Sequence, residues 1–332
     1  MKALKTLKTL KFAKDALFSL CALVFIVYII AYPQETAQIV WDGLALCYRV
    51  IIPVIFPFLI FARLFTRSVL FRVIGRILNK PAGLLFNLSG EYVNAFVIGA
   101  VIGFPAGAKA VSEIYVANPS PQNKNQAERA LAFCNNCSIS FVVSAAGIAV
   151  FGSARIGFIL FALQMIAATI TGIITRFMFK SHTNNTDTPL NAASVNTNDQ
   201  TITDIISDAV TAILNICGTV LFFYIMISIV SDISSMLSIL SAYGTDILYP
   251  IIAGIFEVSS GVYSLTALDL SMHHKLLLSA AILGWSGFSV HFQIMYILKD
   301  LKLSLRPYFT GKIIHVIIYT IITMIAIITM VF

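Results

Sequence analysis

Between Glu91 and Lys109 the chain carries no charge, and this apolar run ends in Gly103-Phe104-Pro105-Ala106-Gly107-Ala108-Lys109. A glycine–proline–glycine break frees backbone hydrogen-bonding groups, and lipid offers them nothing in return. At that depth they must be buried in protein or line a watered cavity. Three later stretches share this character: Phe133-Cys134-Asn135-Asn136-Cys137-Ser138, Phe256-Glu257-Val258-Ser259-Ser260-Gly261, and Gly284-Trp285-Ser286-Gly287-Phe288-Ser289-Val290-His291-Phe292-Gln293. Four such breaks in one chain predict a shared site, the core of a transporter.

Composition sets the environment. Of 332 residues, 58% are hydrophobic and 11% charged, where a soluble domain carries roughly 25% charged residues. The chain therefore reads as an integral membrane protein. Its formal net charge of +7 is clustered beside apolar runs, as expected of residues that set topology and meet anionic headgroups. No basic stretch is interleaved with aromatics in a polar domain, which argues against nucleic acid. Cys21, Cys47, Cys134, Cys137 and Cys217 lie mostly in apolar segments and predict free thiols rather than a disulfide scaffold. Cys134 and Cys137 form a lone CxxC, with no second pair or nearby histidine to suggest a metal.

Residues 1–36 read as a basic amphipathic lead followed by a first span. Lys2, Lys5, Lys8, Lys11 and Lys14 alternate with Leu4, Leu7 and Leu10, a pattern suited to the cytoplasmic surface. Ala16 to Gln34 is uncharged and long enough to cross, with no small-x-small cleavage site. Val50 to Ala62, with Pro53 and Pro57, predicts a kinked second span. Arg63, Arg67, Arg72, Arg76 and Lys80 then predict a cytoplasmic loop. Ile156 to Thr175, Ala209 to Ser231 and Ile313 to Phe332 are further spans. Residues 181–203, rich in Asn, Thr and Ser, read as a disordered linker.

The two sides of that linker, residues 37–180 and 204–332, echo each other. Each runs span, loop, broken helix, second broken helix, plain span, and Gly103 to Gly107 aligns without gaps on Glu257 to Gly261. The loop after the first half's span is basic, whereas its counterpart from Asp232 to Asp246 is acidic. The positive-inside rule sets those loops on opposite sides. The expected fold is an all-α polytopic membrane protein of two inverted-topology repeats, with discontinuous helices and re-entrant segments. This arrangement puts the N-terminus in the cytoplasm and the C-terminus outside.

On the four stretches quoted above, the sequence resembles the sporulation integral membrane protein family of the YlbJ type, from about Ala37 onward. The resemblance implies a nucleoside-recognition "Gate" domain, distantly similar to concentrative nucleoside transporters. It also implies transport of a small organic solute, dipicolinate-like or nucleoside-like, in a bacterial cytoplasmic or forespore membrane. Two positions depart from the family's usual pattern: Ser286, where glycine is frequent, and Ile139, where proline is frequent.

The residues expected to meet substrate are Gly103, Pro105, Ala106, Gly107, Lys109, Asn135, Asn136, Ser138, Ser259, Ser260, Gly261, Ser286, Gly287, Ser289 and Gln293. Glycines admit close backbone approach, Lys109 adds a positive charge, and amides and hydroxyls hold a polar solute. Glu257 and His291 are the candidates to bind Na+ or carry H+. Each has a plainer alternative. The glycines could mark a packed kink with Lys109 reaching the interface. The asparagines could bond between helices, Glu257 could pair with Lys109, and His291 could be a satisfied core residue. No Ser–His or Asp–Asp arrangement suggests an enzyme. These features predict a secondary transporter with no firm cofactor and no metal, in contact with solute and lipid and compatible with a homo-oligomer. A non-transporting assembly protein and a passive channel are the alternatives.

Overall fold

The computed structural model describes residues 22–66, 83–179, 201–236 and 245–329, with isolated positions before and between them. The basic lead, most of the arginine-rich loop, nearly all of the polar linker and the middle of the acidic loop lie outside the described residues. Among those described there are only helices and their connections, with no strand.

The first helix, α1 (Ala22–Ala31), does not run on to Gln34 as its composition suggests. It turns by 107° into α2 (Pro33–Leu46). Pro33 is the cause: it opens α2 without needing an N–H partner, and it disfavours helical geometry at Tyr32, which sits at φ −127°. Tyr28 still anchors α1 by donating to Asp232 at 2.7 Å. A π-helical turn, Cys47–Ile51, joins α2 to α3 (Ile52–Thr66), which contains Pro57. The stretch from Trp41 to Arg49 is thus helical. Gly43 lets α2 close on Leu221 and Tyr224 of α9 (Ile202–Met236).

Next come α4 (Gly90–Ile102) and α5 (Ala106–Ala117). At 1.5 Å per residue each is about 20 Å long, short of the roughly 30 Å needed to cross. They fold back on each other: a Cβ on Gly99 would lie 3.4 Å from Gly107 Cα, where a continuous helix would hold residues eight apart about 12 Å away. They therefore form a helical hairpin. A second hairpin is shorter still, α10 (Thr245–Phe256) and α11 (Val258–Ser264), closed by direct contact of Gly254 with Gly261.

Between the hairpins lie α6 (Pro121–Ala130), α7 (Ile139–Phe151, π-helical over Val142–Ile148) and α8 (Ala154–Met178). After the second hairpin come α12 (Met272–Trp285), α13 (Gly287–Leu298) and α14 (Arg306–Ile328). Among the described residues four stretches are long and apolar enough to cross a membrane, Ala154–Met178, Ile202–Asp232, Met272–Leu298 with its interruption, and Arg306–Ile328, and the bent pair α1–α2 would make a fifth if it is one span. Together they make a polytopic membrane protein. Helices α8 and α14 meet where Tyr319 donates to the Leu160 carbonyl at 2.9 Å.

Two arginines fix the entry to the first hairpin. Buried Arg129 donates to the Phe86 and Asn87 carbonyls, and Arg176 to those of Leu84 and Leu85. Cations suit carbonyls left free at a helix end. Arg129→Met is expected to cost about 1.5–3 kcal/mol, the worth of hydrogen bonds from a charged donor. Thermal unfolding in detergent reads this, and a variant that melts with the wild type would show that other donors serve those carbonyls.

Candidate functional site

The site begins with a segment that has no regular structure. Residues 131–138, between α6 and α7, are unwound and all buried. Such a segment must account for each backbone group. The Phe133 carbonyl accepts from Asn136 Nδ2 at 2.8 Å, the Cys137 carbonyl from Gln164 Nε2 of α8 at 2.9 Å, and the Asn135 carbonyl from Lys312 Nζ of α14. Ser138 caps α7, its Oγ accepting from Phe141 N at 3.2 Å. The Cys134 carbonyl is wedged between Gly99 and Gly107, where any side chain would collide with it.

The first hairpin's tip lies on this segment. Gly103 has φ +92°, and a Cβ there would come within 3.0 Å of Ser138 N and Cβ. The α5 N-terminus is met by Asn135, whose Oδ1 accepts from Ala108 N at 2.7 Å. Asparagine here serves the role of an N-cap from a distance of 27 residues in sequence.

The second hairpin and the α12–α13 break make a comparable pair. Glu257 caps α11, Oε2 accepting from Ser260 N at 2.6 Å. Gly287, at φ +81°, lays its backbone on Glu257: an added Cβ would stand 3.0 Å from Glu257 Cα and Val258 N. Ser286 is fully buried in left-handed geometry, φ 74°, which is costly for a residue with a side chain. Its hydroxyl donates to the Leu283 carbonyl at 3.2 Å and accepts from Lys312 Nζ at 3.0 Å. Cys137 Sγ donates to that same Leu283 carbonyl at 3.6 Å. The four breaks are thereby linked as a chain: Gly103 lies on Ser138, Asn135 is joined to Ser286 through Lys312, Cys137 bonds Leu283 just before the fourth break, and Gly287 lies on Glu257.

Of the expected residues, Gly103, Gly107, Asn135, Asn136, Ser138, Glu257, Ser260, Ser286 and Gly287 are buried in or beside this junction. Pro105 and Ala106 are half-buried at the first tip, where the Phe104–Pro105 bond is cis, and Gly261 packs within the second hairpin. Ser259 lines a small apolar crevice with Ser144, Tyr263 and Leu46. Ser289 is buried on α13 and Gln293, one turn on, is half-buried. Ser286 is the break itself, closing α12 and opening α13, and lies outside the helix that carries Ser289 and Gln293.

Lys109 departs from expectation. It is exposed on α5, whose inner face is Gly107, Ala108, Ala110 and Val111, and it makes no ion pair with Glu257. His291 is buried outside the chain of breaks. Its Nδ1 lies 2.5 Å from the Tyr308 hydroxyl and its ring 4.4 Å from that of Trp285, while Nε2 has no partner among the described residues.

The cation at the junction is Lys312, which sequence reasoning passed over. Gly311 explains its position, since the missing side chain lets α14 close on Ala132 of the unwound segment. The readable signal was a polar stripe, Tyr308, Lys312, His315, Tyr319 and Thr323, on one face of an apolar helix. Gln164, a lone amide in α8, was the other missed residue. Among the described residues no cluster of three His, Cys, Asp or Glu side chains could hold a metal ion.

The chain is 23% identical over 312 residues to the sporulation integral membrane protein YlbJ of Bacillus subtilis (strain 168), covering 86% of this chain and 76% of that protein. This likeness supports the family to which the four motifs point. No protein-family model and no solved structure matches the chain.

Proposed function

We propose that this YlbJ-type chain is a secondary membrane transporter that moves a small polar or anionic organic solute by alternating access. The observation that carries the reading is the meeting of all four helix breaks at one buried polar junction. Unwound backbone at membrane depth is characteristic of transporter sites, where broken helices offer free amides and carbonyls to solute and ion. The pairing of a hairpin tip with a second break in each half supports inverted repeats over 37–180 and 204–332. In this reading Asn135, Asn136, Ser138 and Ser286 meet the solute, and Glu257 and His291 are the coupling candidates for Na+ or H+. The protein sits in a bacterial cytoplasmic or forespore membrane, N-terminus inside and C-terminus outside.

The resemblance suggests dipicolinate-like and nucleoside-like solutes, so uptake of dipicolinate and of a nucleoside panel into proteoliposomes is the test. Saturable uptake driven by an imposed sodium or proton gradient is expected. Uptake indifferent to both gradients would indicate a passive channel. One observation favours an assembly role instead: the junction's polar groups are largely spent on one another. Folded protein that moves none of these solutes would decide for that role.

A further inference from the structure

Two buried imidazoles flank Lys312, each with a ring nitrogen that bonds nothing. His291 is fully buried and His315 is 2% exposed, and neither His291 Nε2 nor His315 Nδ1 has a partner among the described residues. Unmet polar atoms in an interior call for a reason. Their placement is ordered. His291 Nδ1 meets the Tyr308 hydroxyl; Tyr308 stands one turn before Lys312 on α14, and His315 one turn after it. Residues three or four apart share a helix face, with Cβ atoms about 5–6 Å apart. Tyr319 continues that face and bonds Leu160 of α8, while Gly311 of α14 and Gly172 of α8 close on adjacent residues, Ala132 and Phe133. Helices α8 and α14 are therefore antiparallel, and Gln164 lies level with His315. Gln164 Oε1 is likewise buried and unpartnered, an acceptor for a proton placed on Nδ1.

The Lys312 ammonium has only neutral acceptors, the Asn135 carbonyl and the Ser286 hydroxyl, and no carboxylate within 4.0 Å among the described residues. A second positive charge one turn away would be strongly repelled in this interior, so the row holds one extra proton at a time. The unwound segment brings Cys134 and Cys137 to the row, and Glu257 lies behind Gly287. Helices α8 and α12 carry charge only near their ends, at Arg155, Arg176 and the His273-His274-Lys275 run. Helix α6 turns Arg129 and Glu128 to the Phe86 and Ser304 backbone.

We propose that the ion coupled to transport is the proton, and that His291, Tyr308, Lys312 and His315 carry it along α14. At rest the extra proton is on Lys312 Nζ, where it ties the unwound segment to the α12–α13 break. Transfer breaks one Nζ–H bond and forms one N–H bond on a free imidazole nitrogen, leaving a neutral amine and an imidazolium. A proton arriving from the other end of the row restores the ammonium. The neutral amine holds its two acceptors less strongly than the ammonium does, so each passage loosens the tie between the breaks. A sodium ion in this place would face an ammonium with no carboxylate between them, whereas an imidazole is a ready proton carrier. The proposal rests on the transport reading above, narrows its coupling ion, and adds Tyr308, Lys312 and His315 to the coupling groups.

The full chain would be reconstituted in liposomes with the membrane potential clamped at zero, pyranine trapped inside, and uridine and dipicolinate as probes. In sodium-free buffer a pH step of one unit should drive about tenfold accumulation for each proton coupled, with a matching pyranine signal. His315→Gln should lose both the accumulation and the pyranine signal. It should still exchange labelled for unlabelled solute near the wild-type rate, because exchange needs alternating access but no net passage of a proton. Tyr308→Phe, which keeps the ring and removes the hydroxyl, should behave the same way. Thr323→Val, farther along the same face and without a titratable group, should match the wild type. A residue that only packs α14 on its neighbours would lose exchange and accumulation together, or neither, and that pattern in both variants would overturn the proposal. Accumulation that requires sodium would overturn it too and leave the transport reading standing. If one variant fails to fold, the other and the ion dependence of the wild type decide. A folded wild type that neither accumulates nor exchanges either probe would remove the transport reading and this inference with it.

Discussion

Gly107→Ala is expected to destabilise the protein and abolish solute binding, whereas Gly218→Ala should stabilise it slightly. The substitution is the same and the surroundings decide its sign. At Gly107 the new methyl would run into the Cys134 carbonyl, with the Cys134 carbonyl carbon at 3.0 Å and Asn135 Oδ1 at 3.2 Å. These are mostly backbone atoms of a buried unwound segment, and no rotamer change can move them aside. Overpacking of this kind costs about 1–3 kcal/mol. Here it also pushes Asn135, and with it the Lys312 and Ala108 contacts, out of register. Gly218 lies inside α9 with nothing within 4 Å of an added Cβ, so alanine gains about 0.5–1 kcal/mol of helix propensity. Melting of the two variants beside the wild type reads both signs. A Gly107→Ala protein as stable as the wild type would mean that the segment yields more readily than its packing implies.

The second large effect is expected at Glu257, where two substitutions separate two roles. Glu257→Gln keeps a side-chain oxygen for the Ser260 amide, so the cap of α11 persists in weaker, uncharged form. Its stability loss should be small, about 1 kcal/mol. Gradient-driven uptake should nonetheless fall to the uncoupled level, because an amide neither carries a proton nor compensates a cation. Glu257→Ala removes the acceptor altogether and strands a buried N–H, costing about 1–3 kcal/mol in addition. Uptake and melting would be measured on the same preparations. If Glu257→Gln transports normally under a gradient, the carboxylate is a helix cap and nothing more.

The positions of the breaks were legible because each is written in residue types that fail as helix or as lipid-facing surface: Gly103 with Pro105, paired asparagines, Glu257, and Ser286 with Gly287. Hairpins were harder to read. A 13-residue apolar run such as α4 fits half of an interrupted span as well as one arm of a hairpin, and only the contact of Gly99 with Gly107 decides. Charge was misread for a related reason. Lys312 follows the basic cluster Lys299, Lys302 and Arg306 closely enough to pass for its last member, yet the helix starts at Arg306 with Pro307 in its first turn. Lys312 is therefore nearly two turns inside. Lys109 shows the reverse error: an apolar neighbourhood in sequence put it in the interior, but the small residues around it take the inner face of α5. Which break touches which is a tertiary matter and had no local signal.

The unwound segment has a bearing on how the chain is assembled in the bilayer. Its Asn135 carbonyl is served by a donor 177 residues further along, and Cys137 Sγ by an acceptor 146 residues along. At translation speeds of about 5–20 residues per second, the wait for Lys312 is on the order of 9–35 s. During that interval the first hairpin can close on its own glycines, but the centre has no ammonium to complete it. Insertion and completion are therefore separate events, with the hairpins settled early and the interior sealed only when α14 arrives.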